Sequence, residues 1–379
     1  MSLPTEQKEI FLPGKQQQLL VQATEVYKPG PGQILVRIES TALNPVDWKV
    51  QETGYLVEKY PFFLGTDAAA TVVALGEGVT QFQVGDKVFY QGYFTKSLCT
   101  FQQYGLVHAE IAAKIPSNIS FDQAASVPLG FATAVIGLYH EPADRGGAGL
   151  VAPWSEGGTG KYAGKPIVIF GGSTSVSQYT IQLAKLSGFN PIITTVSPRN
   201  FDLVKSLGAT HPLDRHLSPS AVPDAVKAIT AEPVTIVYDA IAEGEIQQAA
   251  QATAAPGGTI VTVFRNAIPE EKRDSSKTVI FTLGTVHAPT NRKLGIELYS
   301  KITELFASGA IKPNRVEVVP GGLNAIQEQL NRLKNGEISG HKVHKFTKAL
   351  VFIGYPRRRR QHEQRVPQFR LYIARRPRW

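Results

Sequence analysis

The stretch KPIVIFGGSTSVSQYTIQLAKLSGF, residues 165–189, decides the fold class of this chain. Its first six residues form a short apolar run that is typical of a buried strand, and the glycine pair 171–172 separates that run from a helical pattern. Strand and helix patterns then alternate through PIITTVS, NFDLVKSLGA, VTIVYDAI and GGTIVTVF. This alternation predicts a parallel α/β sheet.

The N-terminal part of the chain has a different pattern. QILVRIESTA (33–42) and DAAATVVALG (67–76) are short runs rich in β-branched or small residues. VTQFQVGDKVFY (79–90) predicts a strand pair around the Gly85–Asp86 turn. Closely spaced strands with glycine turns indicate a compact β-barrel-like domain.

Further helices and one long insert complete the organisation. Ser120 and Gln123 have the spacing of a capping box and predict the start of a helix. Helices are also predicted at 291–308 and 323–336. The Gly/Pro-rich insert 141–165 is a long loop between the two regions. Two interpretations of it stay open, a surface excursion and the rim of an active site.

Composition limits the function classes. The chain has 379 residues, is 42% apolar and 19% charged, and carries a net charge of +9. Residues 357–379 hold nine arginines and one glutamate, which supply +8 of that charge, so the nearly neutral remainder gives no sign of nucleic-acid binding. We interpret the basic segment as a disordered tail; an electrostatic anchor and a translated non-homologous segment are the alternatives.

The expected location is the cytoplasm. No apolar run reaches the roughly 18 residues that a membrane helix needs, and the N-terminus lacks a signal-peptide pattern. Cys99 is the single cysteine, which excludes an intrachain disulfide and fits a reducing compartment.

The turn GGSTSVS, 171–177, meets the requirements of a nucleotide phosphate site. Such a site needs a tight bend, close approach of the backbone, and free N–H groups at a helix N-terminus. Ser177 stands where a glycine usually lets the helix pack on the strand. A plain strand-to-helix turn without a ligand is the alternative. The predicted phosphate-binding residues are Gly171, Gly172, Ser173, Thr174, Ser175 and Val176. The hydroxyl groups of Ser173, Thr174 and Ser175 can add hydrogen bonds to the phosphate.

The end of the second strand indicates which dinucleotide binds. NAD sites usually carry an acidic residue there, about 20 residues after the turn, to bind the ribose 2′-hydroxyl. This chain has Ser197 and Arg199, and no acid before Asp202. A guanidinium and a hydroxyl attract a 2′-phosphate, which favours NADPH. The alternative for Arg199 is a solvated loop charge.

Several motifs together resemble the medium-chain dehydrogenase/reductase superfamily. They are ALNPVDWKV, GTDAAATVVALGEGVTQFQVGDKVF, PLGFATAVIGLY, GGSTSVS and NGEISGHKV, and the resemblance covers roughly residues 8–345. Within the superfamily, IVIFGGSTSVSQYTIQLAKLSGF and SPRNFDLVKSLGA are similar to the zinc-free quinone oxidoreductases and the fungal trans-acting enoyl reductases.

The resemblance implies an α/β fold with two main domains. A GroES-like β-barrel catalytic domain at 1–128 is expected to precede a Rossmann-type doubly wound parallel sheet at 129–312. A segment at 313–348 is expected to return to the catalytic domain, before the basic tail at 349–379.

The resemblance also implies that no catalytic zinc is bound. Asn44 occupies the first ligand region of the zinc members, and GTD, 65–67, stands where they have Gly-His-Glu. A single cysteine cannot form a four-cysteine structural site. Reduction of an activated C=C bond does not need a Lewis acid, because the conjugated carbonyl accepts the charge and only a proton donor is then required.

The resemblance nominates three catalytic residues, which are Asn44, Lys49 and Tyr55. Tyr55 lies eleven positions after Asn44, the spacing of the proton-donating tyrosine in enoyl-thioester reductases. Lys49 matches a lysine beside the cofactor. The alternatives are an aromatic residue of the cleft wall for Tyr55 and a solvated charge for Lys49.

The remaining expected site residues also follow from the resemblance. Besides the phosphate turn, those near the cofactor are Val46, Asp47, Trp48, Lys49, Thr133, Ser197, Pro198, Arg199, Asn200, Arg215, Val263, Phe264, Lys342 and Val343. Those near the substrate are Phe131, Val135, Leu138, Leu283, Gly284, Thr285 and Val286. His344 and Arg215 depart from the family pattern.

The expected function is an NADPH-dependent, zinc-independent reduction of the C=C bond of an α,β-unsaturated carbonyl compound, or of a quinone. Tyr55 or water is expected to supply the proton. A polyketide synthase or an acyl carrier is a candidate partner, and both monomer and homodimer stay open. The alternative is a weakly catalytic NADPH-binding or RNA-binding protein of the crystallin type.

Overall fold

The alternating strands and helices of the central region form a parallel sheet, as the pattern predicts. The structure, a computed structural model, describes residues 3–346; the predicted tail lies outside the described residues. The strands are β1 (Glu6–Phe11), β2 (Leu20–Glu25), β3 (Gln33–Ala42), β4 (Asp67–Leu75), β5 (Lys87–Gln91), β6 (Tyr104–His108), β7 (Ala112–Lys114), β8 (Ile167–Phe170), β9 (Ile192–Val196), β10 (His211–Asp214), β11 (Ile236–Asp239), β12 (Thr259–Thr262), β13 (Thr278–Phe281), β14 (Val316–Val319) and β15 (Lys342–Phe346). The α-helices are α1 (Pro45–Thr53), α2 (Phe121–Ala125), α3 (Pro128–Tyr139), α4 (Ser175–Leu186), α5 (Phe201–Leu207), α6 (Val222–Lys227), α7 (Gly244–Thr253), α8 (Arg292–Ala307) and α9 (Ile326–Lys334).

The parallel sheet has the strand order β10-β9-β8-β11-β12-β13. The apolar strands β8, β9 and β11 are buried throughout, as expected for strands covered by helices on both faces. The order reverses between β8 and β11, and in such sheets the crevice at the carboxyl ends of these strands is where ligands bind.

A second, largely antiparallel sheet is built from both ends of the described chain. Its order is β14-β15-β3-β4-β5-β7, and β6 also pairs with β3. Strand β15 pairs antiparallel with β3, so residues 342–346 lie in the N-terminal sheet. Strands β1 and β2 form a separate two-stranded sheet.

The strand pair predicted for residues 79–90 is wrong. Only β5 forms there. Residues 79–86 form no strand, and a turn precedes β5 at Gly85, whose φ is +97°. Gln83 donates its N–H to the Asp86 carboxylate at 3.0 Å, and Val84 is 62% exposed. A side-chain-stabilised turn therefore replaces the expected first strand.

The capping box is confirmed. Gln123 N–H donates to Ser120 Oγ at 3.2 Å, and Ser120 N–H donates to Gln123 Oε1 at 2.9 Å. Helix α2 is short, and α3 begins at Pro128, where a proline fits the first helical position. Helix α3 lies in the main core against α4 and α8.

The insert 141–165 packs against the protein body. Trp154 stacks edge-on against Tyr139 at 5.4 Å between ring centroids and donates from Nε1 to Glu297 at 2.8 Å. The Arg145 carbonyl accepts from Leu283 N–H at 3.2 Å, so the insert also borders the predicted substrate segment. Across residues 3–346, no helix is both long and apolar enough to cross a membrane.

Candidate active site

The glycine turn after β8 presents free backbone donors. Gly171 has a φ of +76°, and a Cβ on Gly172 would lie 2.4 Å from Thr194 Oγ1, so both positions require glycine. Helix α4 starts directly afterwards. Within the described part of the chain, the N–H groups of Ser173, Ser175 and Val176 have no hydrogen-bond partner. Three donors at a helix N-terminus form a site for a phosphate group.

Three hydroxyl groups of this turn make hydrogen bonds within the protein. Thr174 Oγ1 caps α4 by accepting from Ser177 N–H at 3.1 Å. Ser175 Oγ accepts from Asn314 Nδ2 at 2.6 Å. Ser177 Oγ donates to the Phe170 carbonyl at 3.1 Å, so this serine fits in place of the usual glycine. Thr174 and Ser175 only accept through their hydroxyl oxygens, so both O–H groups can still donate to a phosphate, and their part in binding stays a prediction.

Two arginines lie beside the end of β9. Pro198, Arg199 and Arg215 are exposed, and Ser197 is buried. Arg215 N–H donates to the Val196 carbonyl at 3.1 Å, which places this residue at the carboxyl end of β9. Neither arginine forms an ion pair within residues 3–346.

Asn200 contacts the loop before β15. Its Nδ2 donates to Ser339 Oγ at 3.1 Å, and a Cβ on Gly340 would lie 2.8 Å from its Oδ1. The side chain is buried. Asn200 therefore packs the segment after the second strand against the loop before β15, and its contact with a cofactor stays a prediction.

Lys49 and Tyr55 meet at the ring of Phe264. Lys49 Nζ lies 4.6 Å from the Phe264 ring centroid, and Tyr55 packs edge-on against the same ring at 5.6 Å. All three side chains are half-buried, as are Val46, Trp48 and Val263. Burial lowers the pKa of Lys49, and the Glu243 carboxylate opposes that shift. The structure thus brings two of the nominated catalytic residues, Lys49 and Tyr55, to the carboxyl end of β12.

Asp47 has a local structural role. Its Oδ2 accepts from Asn44 N–H at 2.8 Å and its Oδ1 accepts from Gly65 N–H at 3.2 Å. The side chain is fully buried, which raises its pKa to about 7. Asp47 therefore holds the start of α1, and its carboxylate does not face the crevice as a cofactor ligand would.

Lys342 is also buried. Its Nζ donates to the carboxylate of Asp67, and only 4% of its side chain is exposed. Its ammonium is occupied by this ion pair, and the expectation that the stretch Lys342–Val343 closes on the cofactor stays a prediction. Val343 is buried next to it, and its carbonyl accepts from Leu43 N–H at 3.2 Å.

His344 lies two positions further along β15. It is fully buried, and neither ring nitrogen has a partner among the described residues. Burial, reinforced by the positive charge of Lys342, lowers the pKa of His344 well below its usual value.

Three of the expected channel residues lie in the core. Phe131, Val135 and Leu138 have no exposed surface, and Phe131 packs edge-on against Tyr179 and Phe306 at 5.3 and 5.6 Å. Helix α3 is apolar around its whole circumference, so it is buried on every side. These side chains do not line an accessible channel in this structure.

Thr133 and Gly284 mark where α3 approaches the segment after β13. Thr133 Oγ1 donates to the Leu129 carbonyl at 2.7 Å, and a Cβ on Gly284 would lie 2.0 Å from that Oγ1. Glycine is therefore required at 284. Leu283 and Thr285 are half-buried beside it, and Val286 is buried.

Gln91, at the end of β5, holds the segment that follows β13. Its Nε2 donates to the Gly284 carbonyl at 2.8 Å, and its Oε1 accepts from Val286 N–H at 2.8 Å. The Gln91 carbonyl accepts from His287 Nε2 at 2.8 Å, and its N–H donates to Tyr299 Oη at 2.8 Å. This residue joins the two sheets beside the expected substrate segment.

The sequence analysis did not nominate Asp67, Gln91 or Asn314 as site residues. A signal for the first was present, because GTDAAA and GHKVH each place a charged residue next to a buried strand, where a charge requires a partner. Nothing in the local pattern identifies which lysine pairs with Asp67, and Gln91 and Asn314 carry no local signal.

Two family models match the chain. The alcohol dehydrogenase GroES-like domain matches residues 30–135, and the zinc-binding dehydrogenase model matches residues 175–290. The second match implies a nicotinamide cofactor. The turn at 171–176 fits such a group, because it combines free N–H donors with glycines that allow close approach.

The side chains present do not fit zinc. Asn44 Nδ2 donates to Asp67 Oδ2 at 2.9 Å, and the same carboxylate binds the Lys342 ammonium. Over residues 3–346, no group of three or more His, Cys, Asp or Glu side chains is arranged to hold a metal ion. Cys99 is buried, and its Sγ lies 3.5 Å from the Lys96 carbonyl oxygen.

Similar proteins agree with the family models. Dehydrogenase orf1 of Aspergillus niger is 36% identical over 88% of this chain and 96% of its own length. The enoyl reductase component lovC of lovastatin nonaketide synthase, from Aspergillus terreus, is 32% identical over 82% and 88%. The CurK enoyl reductase structure has the same fold, with a TM-score of 0.72 over 90% of this chain and 99% of that one at 22% identity. The chain belongs to the medium-chain dehydrogenase/reductase superfamily, in its enoyl-reductase-like branch, and is an oxidoreductase.

Proposed function

We propose that the chain is an NADPH-dependent reductase that reduces the C=C bond of an α,β-unsaturated carbonyl compound without zinc. The observation that carries the proposal is the contact of Lys49 and Tyr55 with the Phe264 ring. It places two proton-bearing side chains at the same edge of the parallel sheet as the glycine turn. A reduction of this kind needs a cofactor and a proton donor at one edge.

Arg199 and Arg215 support NADPH as the cofactor. Both are exposed beside the end of β9 and have no ion-pair partner in the described part of the chain. A guanidinium binds a phosphate with paired, charge-assisted hydrogen bonds, and no acidic residue stands between 197 and 201 to repel it. We assign the ribose 2′-phosphate to these two side chains.

The reaction divides into a hydride and a proton. When bound, the reduced nicotinamide supplies the hydride that adds to the β-carbon of the substrate. The substrate carbonyl is conjugated with the C=C bond and takes up the negative charge, so no metal is needed. The Tyr55 hydroxyl then protonates the α-carbon, and the Lys49 ammonium, whose pKa is lowered by burial, stands beside it as the second acid.

The substrate we propose is a small enoyl compound, presented as a thioester. The relative lovC is, by its name, the enoyl reductase component of a nonaketide synthase. We propose that this chain likewise receives acyl chains from a polyketide synthase or an acyl carrier, and that they enter past Leu283 and Thr285. A quinone is the second candidate substrate, because it accepts a hydride by the same conjugate route.

Product analysis with deuterated cofactor tests the proposal. NADPH carrying deuterium at the transferred position is incubated with the purified protein and crotonyl-coenzyme A, and in parallel with 1,4-benzoquinone. Deuterium at the β-carbon of the saturated thioester is the expected result. NADPH oxidation with the quinone alone reassigns the substrate class, and no oxidation with either compound contradicts the proposal.

A further inference from the structure

The ion pair of Lys342 and Asp67 is the most deeply buried pair of opposite charges among the described residues. The two side chains are 4% and 0% exposed. Removing a lysine and an aspartate from water is costly, and the cost is offset only when both charges are paired and hydrogen-bonded. The pair joins residues 275 positions apart, so the tertiary fold creates it.

Asp67 accepts from two further donors. Leu129 N–H donates to its Oδ1 at 2.6 Å, and Asn44 Nδ2 donates to its Oδ2 at 2.9 Å. Leu129 is the second residue of α3, and Asn44 directly precedes α1. One carboxylate, at the start of β4, therefore contacts the beginnings of two helices and the strand β15.

Both helices lead to the proposed reaction site. Helix α1 carries Lys49, and Tyr55 follows its last residue by two positions. Helix α3 carries Thr133, which packs on Gly284. The carboxylate of Asp67 thus anchors both α1, which positions the proposed proton donors, and α3, which borders the proposed substrate segment.

We propose that Lys342 is a positioning residue of this site: its buried ammonium holds Asp67 in place, and Asp67 sets α1 and α3 relative to each other. The inference rests on the proposed function for its effect on turnover. The Lys342 ammonium is then the positive charge around which the Asp67 carboxylate and its two further donors are arranged. The second family model that matches this chain is named for zinc binding, and here a lysine supplies the positive charge. Its ammonium is buried against Asp67, so Lys342 acts through that carboxylate.

Misplacement of reacting groups by about 1 Å can lower turnover roughly 100-fold. Lys342→Met leaves the Asp67 carboxylate buried without its cation. Asp67→Leu combined with Lys342→Met replaces the whole ion pair by apolar side chains of similar size, a change that proteins often tolerate without loss of stability. The double variant therefore retains a folded chain in which the anchor to Leu129 and Asn44 is missing.

The experiment compares wild type, Lys342→Met and the double variant by thermal melting, by the Kd for NADPH and by kcat and KM for crotonyl-coenzyme A. Lys277→Met is the matched control, because Lys277 forms a partly buried ion pair with Asp274 next to the amino end of β13. We expect the double variant to melt above Lys342→Met, to keep its Kd within about twofold, and to lose kcat by at least about tenfold. Lys277→Met should keep its kcat.

Two results of this comparison would overturn the inference. A double variant with wild-type kcat would mean that the pair serves stability alone. A Kd for NADPH that rises more than about tenfold in Lys342→Met, with kcat unchanged, would make Lys342 a cofactor ligand instead.

Hydrogen exchange separates this inference from the proposed function. The peptide that contains Leu129 should exchange faster in the double variant than in wild type, and the peptide spanning β8 and α4 should be unchanged. This measurement needs no substrate, so it tests whether Asp67 anchors the start of α3 even if wild type reduces no enoyl thioester. Equal exchange of the Leu129 peptide in both proteins would refute the anchor.

Discussion

Gln91 Nε2 donates to the carbonyl oxygen of Gly284 at 2.8 Å, although the two residues are 193 positions apart. The contact joins the antiparallel sheet to the segment that follows the parallel sheet. Together with the bond from Val286 N–H, it satisfies two backbone groups that would otherwise lack a partner. The position of the proposed substrate entrance therefore depends on a side chain of the other sheet.

Gln91→Leu should raise the KM for the enoyl substrate and lower the melting temperature, with little change in the Kd for NADPH. Each backbone group left without a partner costs about 1–3 kcal/mol. Gln102→Leu is the matched control, because Gln102 is a buried glutamine that donates to the Cys99 carbonyl at 2.7 Å, away from this segment. Equal KM changes in both variants would contradict a specific role of Gln91.

Tyr55→Phe should slow enoyl reduction while NADPH binding stays nearly unchanged. The substitution removes a hydroxyl and keeps the ring that packs on Phe264. General acid catalysis is worth roughly 100-fold to 10,000-fold when proton transfer limits the rate. Tyr60→Phe, in the same segment, is the control. Turnover within about twofold of wild type, with a solvent isotope effect in wild type, would leave Lys49 or water as the donor.

Lys49→Met tests whether the Tyr55 hydroxyl or the Lys49 ammonium donates the proton. It retains most of the packing against Trp48 and Phe264 but removes the proton and the charge. If Tyr55 is the donor, Lys49→Met should reduce kcat less than Tyr55→Phe does. The opposite order of the two kcat values would assign the proton to Lys49.

Arg199→Ala should weaken NADPH binding and leave NADH binding unchanged. A hydrogen bond to a charged group contributes about 1.5–3 kcal/mol, and solvent exposure places Arg199 at the low end, so a loss of roughly tenfold is expected. Fluorescence titration with both cofactors gives the two constants. Equal losses for NADPH and NADH would remove Arg199 from recognition of the 2′-phosphate.

The purified protein should contain far less than one zinc per chain, and chelation should leave reduction unaffected. The reason is the donor set: Asn44, Thr66 and Asp67 bond to one another and to Lys342 rather than forming ligands around an open centre. Metal analysis combined with activity after chelation measures both. Stoichiometric zinc would refute the metal-free proposal.

Stability should fall as the pH drops through the range set by His287. Burial lowers the pKa of His287 from 6.5 to about 4, with further lowering by Arg292 and His108, while its bond to the Gln91 carbonyl opposes the shift. His287 takes up a proton near pH 6.5 in the unfolded chain and only near pH 4 in the folded chain. The contribution of neutral His287 to the free energy of unfolding is therefore fully present above pH 6.5 and is lost as the pH falls from 6.5 to about 4. Urea unfolding of wild type and His287→Gln across this range should show a steeper loss in wild type. Parallel curves would contradict the assignment.

The sequence by itself determined the parallel sheet, the glycine turn and the capping box at Ser120. Each of these depends on residues within a few positions of one another: an apolar run, a pair of glycines, a serine three residues before a glutamine. Such short-range patterns are set by backbone geometry and local hydrogen bonds, which a sequence displays directly. The expected strand pair at 79–90 failed at this same level, because the side chain of Asp86 stabilised a turn instead.

Only the tertiary structure decided the centre of the proposed site. Asp67 pairs with Lys342, which is 275 positions away, and Gln91 bonds to Gly284, which is 193 positions away. No local sequence pattern identifies either partner. Phe131, Val135 and Leu138 lie in the core for the same reason, since α3 is covered on every side by elements distant in sequence. Burial removes water as a partner, so each polar group must find one inside the fold, and which one it finds is decided only when distant segments pack together.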